Sequence, residues 1–285
     1  MTAAGRSPIK FLFLILLIIS LVPVGAQGES ASLPARDWNL QNLKPIQALN
    51  PENLTFAVLG DSRKNQPVFE GVLRQMALNP DLQFAINLGD VVDKGELPRY
   101  RSFFQVLRPL LKMPFLVLIG NHELGGDPGG HLYHKIFGPR NLSFRVGSRY
   151  FIMFDDNAKY GPDEEGLLWL ELELQKAQSC RTRLVFIHMP LFDPRGGGHH
   201  HCVPPASAAL MLALFKKYNV SHIFAGHIHG FFEGRWEGVP YTITAGAGAK
   251  FSDTDPRHFF YHYLQVTLQG DRVQIRVRRL RAEGK

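Results

Sequence analysis

Short apolar runs and amphipathic stretches alternate along the chain from residue 54 onward. Residues 54–59 form a nearly continuous apolar run that ends in Gly60-Asp61. Val68, Val72, Leu73 and Met76 then recur at helical spacing, which predicts a helix over 67–78. A strand over 82–88 ends in Gly89-Asp90, and a helix over 100–111 puts Phe103, Phe104 and Leu107 on one face. A third strand, 115–119, ends in Gly120-Asn121-His122-Glu123. The second half continues in the same style. Residues 142–146 and 150–154 read as paired strands around Gly147-Ser148, and Pro162-Asp163 opens a helix over 164–177. A strand over 184–187 ends in His188, a helix spans 206–218, and a strand over 221–225 ends in Gly226-His227-Ile228-His229. Four more strands follow, at 231–236, 241–245, 259–266 and 273–279. The alternation predicts an α/β fold with helices packed on a largely parallel sheet. The consecutive strands of the tail predict a second sheet, packed face to face on the first.

The first fifty residues follow a different pattern. Residues 27–51 are polar and Pro-containing without a strong period, and read as a lead-in. Ahead of them, Arg6 and Lys10 precede an apolar run over 11–24 that closes on Val24-Gly25-Ala26. This is the three-part pattern of a secretory signal peptide, cut after Ala26. The run falls short of the roughly 20 residues that a spanning helix needs. The expectation is an exported chain, periplasmic or secreted, with no stable membrane insertion after cleavage.

Composition narrows the function classes. With 285 residues, 45% hydrophobic and 20% charged, the chain can bury a sizeable core. A mean hydropathy near zero argues against a multi-span membrane protein. The net charge of +7 suits an anionic substrate, yet it is too diffuse for a nucleic-acid scaffold. The basic tail over 272–281 alternates with Val273, Ile275 and Val277, as the solvent face of a last strand would. An oxidising compartment would permit a disulfide between Cys180 and Cys202, which the sequence leaves open. Oligomeric state is equally open.

The chemistry concentrates at strand ends. Five predicted strands finish in Asp61, Asp90, Asn121-His122, His188 and His227/His229. Ligands of α/β sheets bind outside the carboxyl ends of the strands. One Gly-Asp is usually a turn, but so many metal-competent ends in one chain point to a shared site. Carboxylate, amide oxygen and imidazole without thiolate suit Mn, Fe, Zn or Co. Six side chains exceed the needs of one catalytic ion that keeps open positions. They suit two ions that share a bridging carboxylate, activate a hydroxide and clamp a phosphoryl group.

In order and approximate spacing, Gly60-Asp61, Gly89-Asp90, Gly120-Asn121-His122-Glu123, His188 and Gly226-His227-Ile228-His229 resemble the calcineurin-like metallophosphoesterase superfamily, which includes the purple acid phosphatases. The resemblance implies a four-layer αββα sandwich over 52–285, with two mixed sheets flanked by helices. It implies a dinuclear site in which Asp90 bridges, Asn121, His188 and His227 complete the second ion, and Asp61 and His229 hold the first. Asn121 would also touch substrate. His122 would stay off the metals and act as general acid beside the leaving-group oxygen. Glu123 would orient His122 or simply accept hydrogen bonds behind the site.

One position departs from that pattern. The family commonly carries Asp-x-His at the first motif, whereas this chain has Asp61-Ser62-Arg63. Arginine stays protonated and has no lone pair to give. The first ion is left with Asp61, Asp90 and His229, and the expectation is a weaker or more open position. Arg63 is then assigned to the substrate phosphate and the chemical step, since its planar fork suits phosphate oxygens. The competing reading is a surface arginine paired with a carboxylate.

The loop after His188 runs from Met189 to Arg195, then through Gly196-Gly197-Gly198 to His199-His200-His201, and should lie beside the site. Arg195 is a candidate substrate contact, while the three histidines read as solvated imidazoles. Asn157 and Tyr160 follow another strand end and receive no role. Gly246-Ala247-Gly248 could approach the site closely. The expected function is phosphate-ester hydrolysis, monoester or diester, on a small phosphorylated substrate. The alternative is a degenerate phosphate-ligand-binding protein with an incomplete first metal site. Retention of His122 argues against it, since a pure binder has no use for a leaving-group acid.

Overall fold

The computed structural model describes Met1 and residues 33–158, 161–196 and 201–281. The expected signal segment, Tyr160, His199 and His200 lie outside the described residues. Among the described residues no helix is long and apolar enough to cross a membrane.

In chain order the elements are α1 (Trp38–Gln47), β1 (Leu54–Leu59), α2 (Gln66–Ala77), β2 (Phe84–Asn87), α3 (Leu97–Leu110) and β3 (Phe115–Val117). Two short helices follow, α4 (Asn121–Leu124) and α5 (His131–Phe137), then β4 (Leu142–Val146), β5 (Arg149–Met153) and α6 (Glu164–Lys176). The rest is β6 (Thr182–Phe186), α7 (Pro205–Lys217), β7 (His222–Ala225), β8 (Phe231–Trp236), β9 (Val239–Thr244), β10 (His262–Gln269) and β11 (Arg272–Arg279). One sheet has the order β11-β10-β1-β2-β3 and the other β4-β5-β6-β7-β9-β8. Both are mixed. Strands β1, β2 and β3 run parallel, as do β5, β6, β7 and β9, while antiparallel partners close the sheets.

The period of two along each strand builds four layers. In β1, Leu54, Phe56 and Val58 enter the core between the sheets, while Ala57 and Leu59 face the helices. In β6, Leu184 and Phe186 point to the same inter-sheet core and Val185 points away from it. Phe56 stacks on Phe84 at 4.9 Å and meets Phe151 of the other sheet edge-on at 5.7 Å. Residues of α2, α3 and α5 cover the outer face of the first sheet, and those of α6 and α7 cover the second. Strands buried on both faces read as continuous apolar runs, which is why they were legible. The edge strand β11 instead alternates exposed and half-buried positions. Helix α6 starts where Asp163 accepts a hydrogen bond from Gly166 N at 2.8 Å.

Two expectations change. The consecutive tail strands do not form the second sheet among themselves. Strands β8 and β9 extend the second sheet, whereas β10 and β11 return to the first, with Leu54 of β1 opposite Leu268 of β10. The lead-in also contains a helix, α1, whose Asn39 donates to Val117 O at 2.8 Å and accepts from Val117 N at 2.9 Å. Both cysteines are buried free thiols.

Candidate metal centre

The strand-end residues converge from both sheets. Asp61 follows β1, Asp90 follows β2, Asn121 follows β3, His188 follows β6 and His227 follows β7. Three of them hold left-handed backbone that non-glycine residues rarely adopt: Asp61 at φ 58, Asp90 at φ 55 and His227 at φ 65. Such conformations persist only where surrounding structure enforces them. Here Asp61 N donates to Gly89 O at 3.1 Å, and His227 N donates to Asp61 Oδ2 at 3.0 Å. Close approach also requires glycine at two positions. A Cβ on Gly120 would collide with the carboxylate and backbone of Asp90, and one on Gly89 would stand 2.7 Å from Gly120 N. The segment 246–249 does come close, as expected, with Ala247 N donating to Gly60 O and Ala249 N to Asp61 O.

Four acceptor-bearing side chains meet at one point. Asn121 Oδ1 lies 2.9 Å from both His188 Nε2 and His227 Nδ1, which are 3.2 Å from each other. Asp90 Oδ1 is 3.4 Å from His188 Nε2. The Nδ1–H of His188 donates to Leu88 O at 2.8 Å, which aims Nε2 into the cluster. Burial pulls the His188 imidazole down, but Asp90, Asp61 and Asp156 outweigh it and lift it to about 9. The surroundings therefore favour a positive charge here. Burial and the neighbouring His188 push His227 down to about 3. An oxygen and imidazole set in such a field fits a borderline divalent ion. Asp90, His188 and His227 offer ligand atoms that all lie within 4.8 Å of one another.

Asp61, Asp90 and His229 make a second such group. Burial pushes the Asp61 carboxyl up, yet His229, His188 and His227 hold it down at about 2. Its Oδ1 accepts no hydrogen bond from the described residues; His229 Nε2 stands 3.4 Å away without the alignment of one. The donor types fit a cation here too, but this group already contains one. Arg63 Nε lies 3.2 Å from Asp90 Oδ2 and Nη2 lies 3.4 Å from His229 Nε2. The Arg63 side chain is 10% exposed, so it is paired with a carboxylate inside the site rather than at the surface.

His122 stands beside both groups. Its ring Nδ1 donates to Asp93 O at 2.9 Å, and Nε2 faces Asp90 Oδ2 at 3.8 Å. Glu123 does not bond its ring. Its Oε2 accepts from Asp90 N and Gly120 N, and its Oε1 from Val91 N and Val92 N. Burial, then the Asp90 charge, lifts the Glu123 carboxyl to about 7. A cavity of about 300 Å³ opens over the site, lined by Arg63, His122, Arg195, His201, His229 and Ser252 among others. Arg195 reaches its rim while fixed to Asp193 by Nε–Oδ1 at 2.9 Å and Nη2–Oδ2 at 2.6 Å. Asn157 is structural, donating to Ile119 O at 2.9 Å.

Sequence reasoning passed over Asp156 and Asp93. Asp156 follows β5 and accepts from His188 N at 3.1 Å and Met189 N at 3.0 Å, so it aims the His188 loop. Burial lifts it to about 7. It lies just past the end of β5, but no glycine marks it as one marks Asp61, Asp90, Asn121 and His227.

Known proteins share this arrangement of segments. The calcineurin-like phosphoesterase family matches residues 54–231. A probable cyclic nucleotide phosphodiesterase of Rhodopseudomonas palustris is 27% identical over 218 residues, covering 69% of this chain and 77% of that protein. Fe(3+)-Zn(2+) purple acid phosphatase 12 of Arabidopsis thaliana is 28% identical over 225 residues, covering 70% of this chain but 47% of that protein. The solved purple acid phosphatase of yellow lupin, Lupinus luteus, superposes with a TM-score of 0.63 at 15% identity, over 79% of this chain and 51% of that one, which shows a shared fold. With the family matched over more than half of its length and its motif residues gathered at the strand ends, the chain belongs to the calcineurin-like phosphoesterases, a family of phosphate-ester hydrolases.

Proposed function

We propose that this protein hydrolyses phosphate esters of small molecules at a metal centre held by Asp90, Asn121, His188 and His227, with Asp61 and His229 beside it. The observation that carries the reading is the convergence of Asn121 Oδ1, His188 Nε2 and His227 Nδ1 at 2.9–3.2 Å, next to Asp90 Oδ1. When bound, an ion of the Mn, Fe, Zn or Co type supplies Lewis acidity toward a phosphoryl oxygen and lowers the pKa of water.

The chain's own residues do the rest. Asp61 and Asp90 are buried acceptors that would hold a positive ion against the anionic substrate. Asn121 orients through its fixed carbonyl oxygen. The Arg63 and Arg195 guanidinium groups reach the cavity and supply donors for phosphate oxygens. His122 is held through Nδ1, which leaves Nε2 to carry a proton toward the departing alkoxide.

The test is turnover of para-nitrophenyl phosphate and its bis ester by chelator-stripped protein before and after Mn²⁺ is added. Turnover should appear with the metal, and its absence under every metal tried would overturn the reading. Both esters are needed, because one relative is named a phosphodiesterase and another an acid phosphatase. His122→Ala should slow ester hydrolysis by about 10²–10⁴-fold. The loss should be larger for alkyl esters than for nitrophenyl esters, whose leaving group needs little protonation. The charged start and apolar run over 11–24 support export with cleavage after Ala26. The exported protein should then begin at Gln27 on amino-terminal sequencing.

A further inference from the structure

We infer that the Arg63 guanidinium is the resident cation of the Asp61, Asp90 and His229 group, so that this centre binds one metal ion where the pattern it resembles has two. The inference rests on the metal centre proposed above, and it is read by counting ions rather than by turnover.

Three observations carry it. First, the guanidinium is already engaged with two of the three donor side chains, at 3.2 Å from Asp90 Oδ2 and 3.4 Å from His229 Nε2. Those are the atoms through which that group would grip an ion. A divalent ion bound to them at about 2.0–2.2 Å would lie against a fixed positive charge that arginine cannot shed. Second, Arg63 is anchored by contacts beyond those two side chains. Its backbone N donates to Asp90 O at 3.3 Å, and Nη1 donates to Asp93 Oδ1 at 3.4 Å. The side chain is 10% exposed, so withdrawal would uncover Asp90 and break the contact with Asp93. Third, the two oxygens of Asp90 face different partners. Its Oδ2 faces Arg63, while its Oδ1 faces His188 in the other cluster, 3.4 Å away. Among the described residues, no guanidinium or ammonium group hydrogen-bonds to Asn121, His188 or His227.

Asp90 then bridges an ion and a guanidinium instead of two ions. The guanidinium keeps the second positive charge beside the cavity and presents N–H donors to a phosphoryl oxygen. It gives up Lewis acidity at that position, because it has no open coordination site.

Ion counting tests this directly. Chelator-stripped protein is saturated with Mn²⁺, freed of excess by gel filtration and analysed for manganese, and its electron paramagnetic resonance spectrum is recorded. The wild-type chain should hold one ion and show an uncoupled Mn²⁺ signal. Arg63→His, which removes the guanidinium and adds a ligand, should hold two ions with an exchange-coupled signal. Arg63→Gln removes the charge alone, and serves if the first variant fails to fold. His188→Ala should hold none. Two ions in the wild-type chain would overturn the inference. So would one ion in both Arg63 variants when they melt as cooperatively as wild type. No ion in the wild-type chain would overturn the metal centre itself, and this inference with it.

Discussion

Glu123 gathers four backbone N–H groups onto one buried carboxylate: Asp90 N at 2.8 Å, Val91 N at 2.9 Å, Val92 N at 3.1 Å and Gly120 N at 2.6 Å. It ties the loop after β2 to the loop after β3, and so sets Asp90 against Asn121. A glutamine keeps one accepting oxygen and turns an NH₂ toward the other two donors. Each buried group left unsatisfied costs about 1–3 kcal/mol. Glu123→Gln should therefore destabilise the fold by at least about 2 kcal/mol in urea denaturation, and should weaken metal binding because Asp90 loses its anchor. Unchanged stability would show that the four bonds are not made in solution. Residues of this kind differ in how far the sequence reveals them. Asp61, Asp90, Asn121 and His227 follow a glycine at the end of an apolar run, so their positions are visible. Asp156 sits in Asp155-Asp156-Asn157 with no glycine before it, and nothing in the string separates it from a polar turn. Arg63 is visible as a departure, but its direction is not. That depends on Asp90 and Asp93, which only folding brings to its side.

At the scale of elements, helix α1 escaped the pattern because a buried amide, Asn39, interrupts the apolar face it shares with Leu43 and Ile46. Asn39 is buried and hydrogen-bonds both backbone groups of Val117, acting as a stand-in for the next strand at the edge of β3. Trp38 Nε1 donates to Phe115 O at 2.6 Å, and Asn42 Oδ1 accepts from Phe115 N at 3.1 Å. An apolar-periodicity reading has no term for a helix that docks through amides. Asn39→Ala would orphan Val117 N, whereas Val117 O keeps the Tyr133 hydroxyl at 2.6 Å. The expected loss is about 1–3 kcal/mol, mostly from that one N–H. Gln41→Ala, on the exposed side of the same helix, should stay within about 0.5 kcal/mol of wild type. Equal effects in the two variants would mean that α1 does not cap the sheet edge. The sheet assignment of the tail was hidden for another reason. Strands β8 to β11 are legible one by one, but β10 pairs with β1 across more than 200 residues of sequence. Periodicity carries no information about partners that distant.

At the scale of the molecule, buried titratable groups pull stability in opposite directions with pH. Burial holds His262 at about 4, with Arg279 adding to the effect, and holds His222 at about 4, with Arg235 adding to it. Each is neutral in the fold and hydrogen-bonded to a threonine hydroxyl: His262 Nε2 to Thr244 Oγ1 at 3.0 Å, His222 Nε2 to Thr242 Oγ1 at 2.9 Å. An unfolded imidazole titrates near 6.5. Between about pH 6.5 and 4 the unfolded chain therefore binds more protons, and the stability these residues contribute falls as pH falls. Glu123 and Asp156 act the other way, because burial raises both to about 7 and the folded chain then keeps protons that the unfolded chain releases. A single melting curve against pH reports only the balance. The difference between wild type and His262→Asn isolates one group, since the variant has no imidazole to protonate. His262 Nδ1 donates to Phe260 O at 2.8 Å, a bond that an asparagine amide can approximate. The variant should be less stable than wild type at pH 7. The gap should shrink by on the order of 3 kcal/mol between pH 6.5 and 4, and stay flat above 6.5. A gap that keeps its size down to pH 4 would mean that His262 titrates alike in the folded and unfolded chain, and that its burial between Thr244 and Arg279 does not hold in solution.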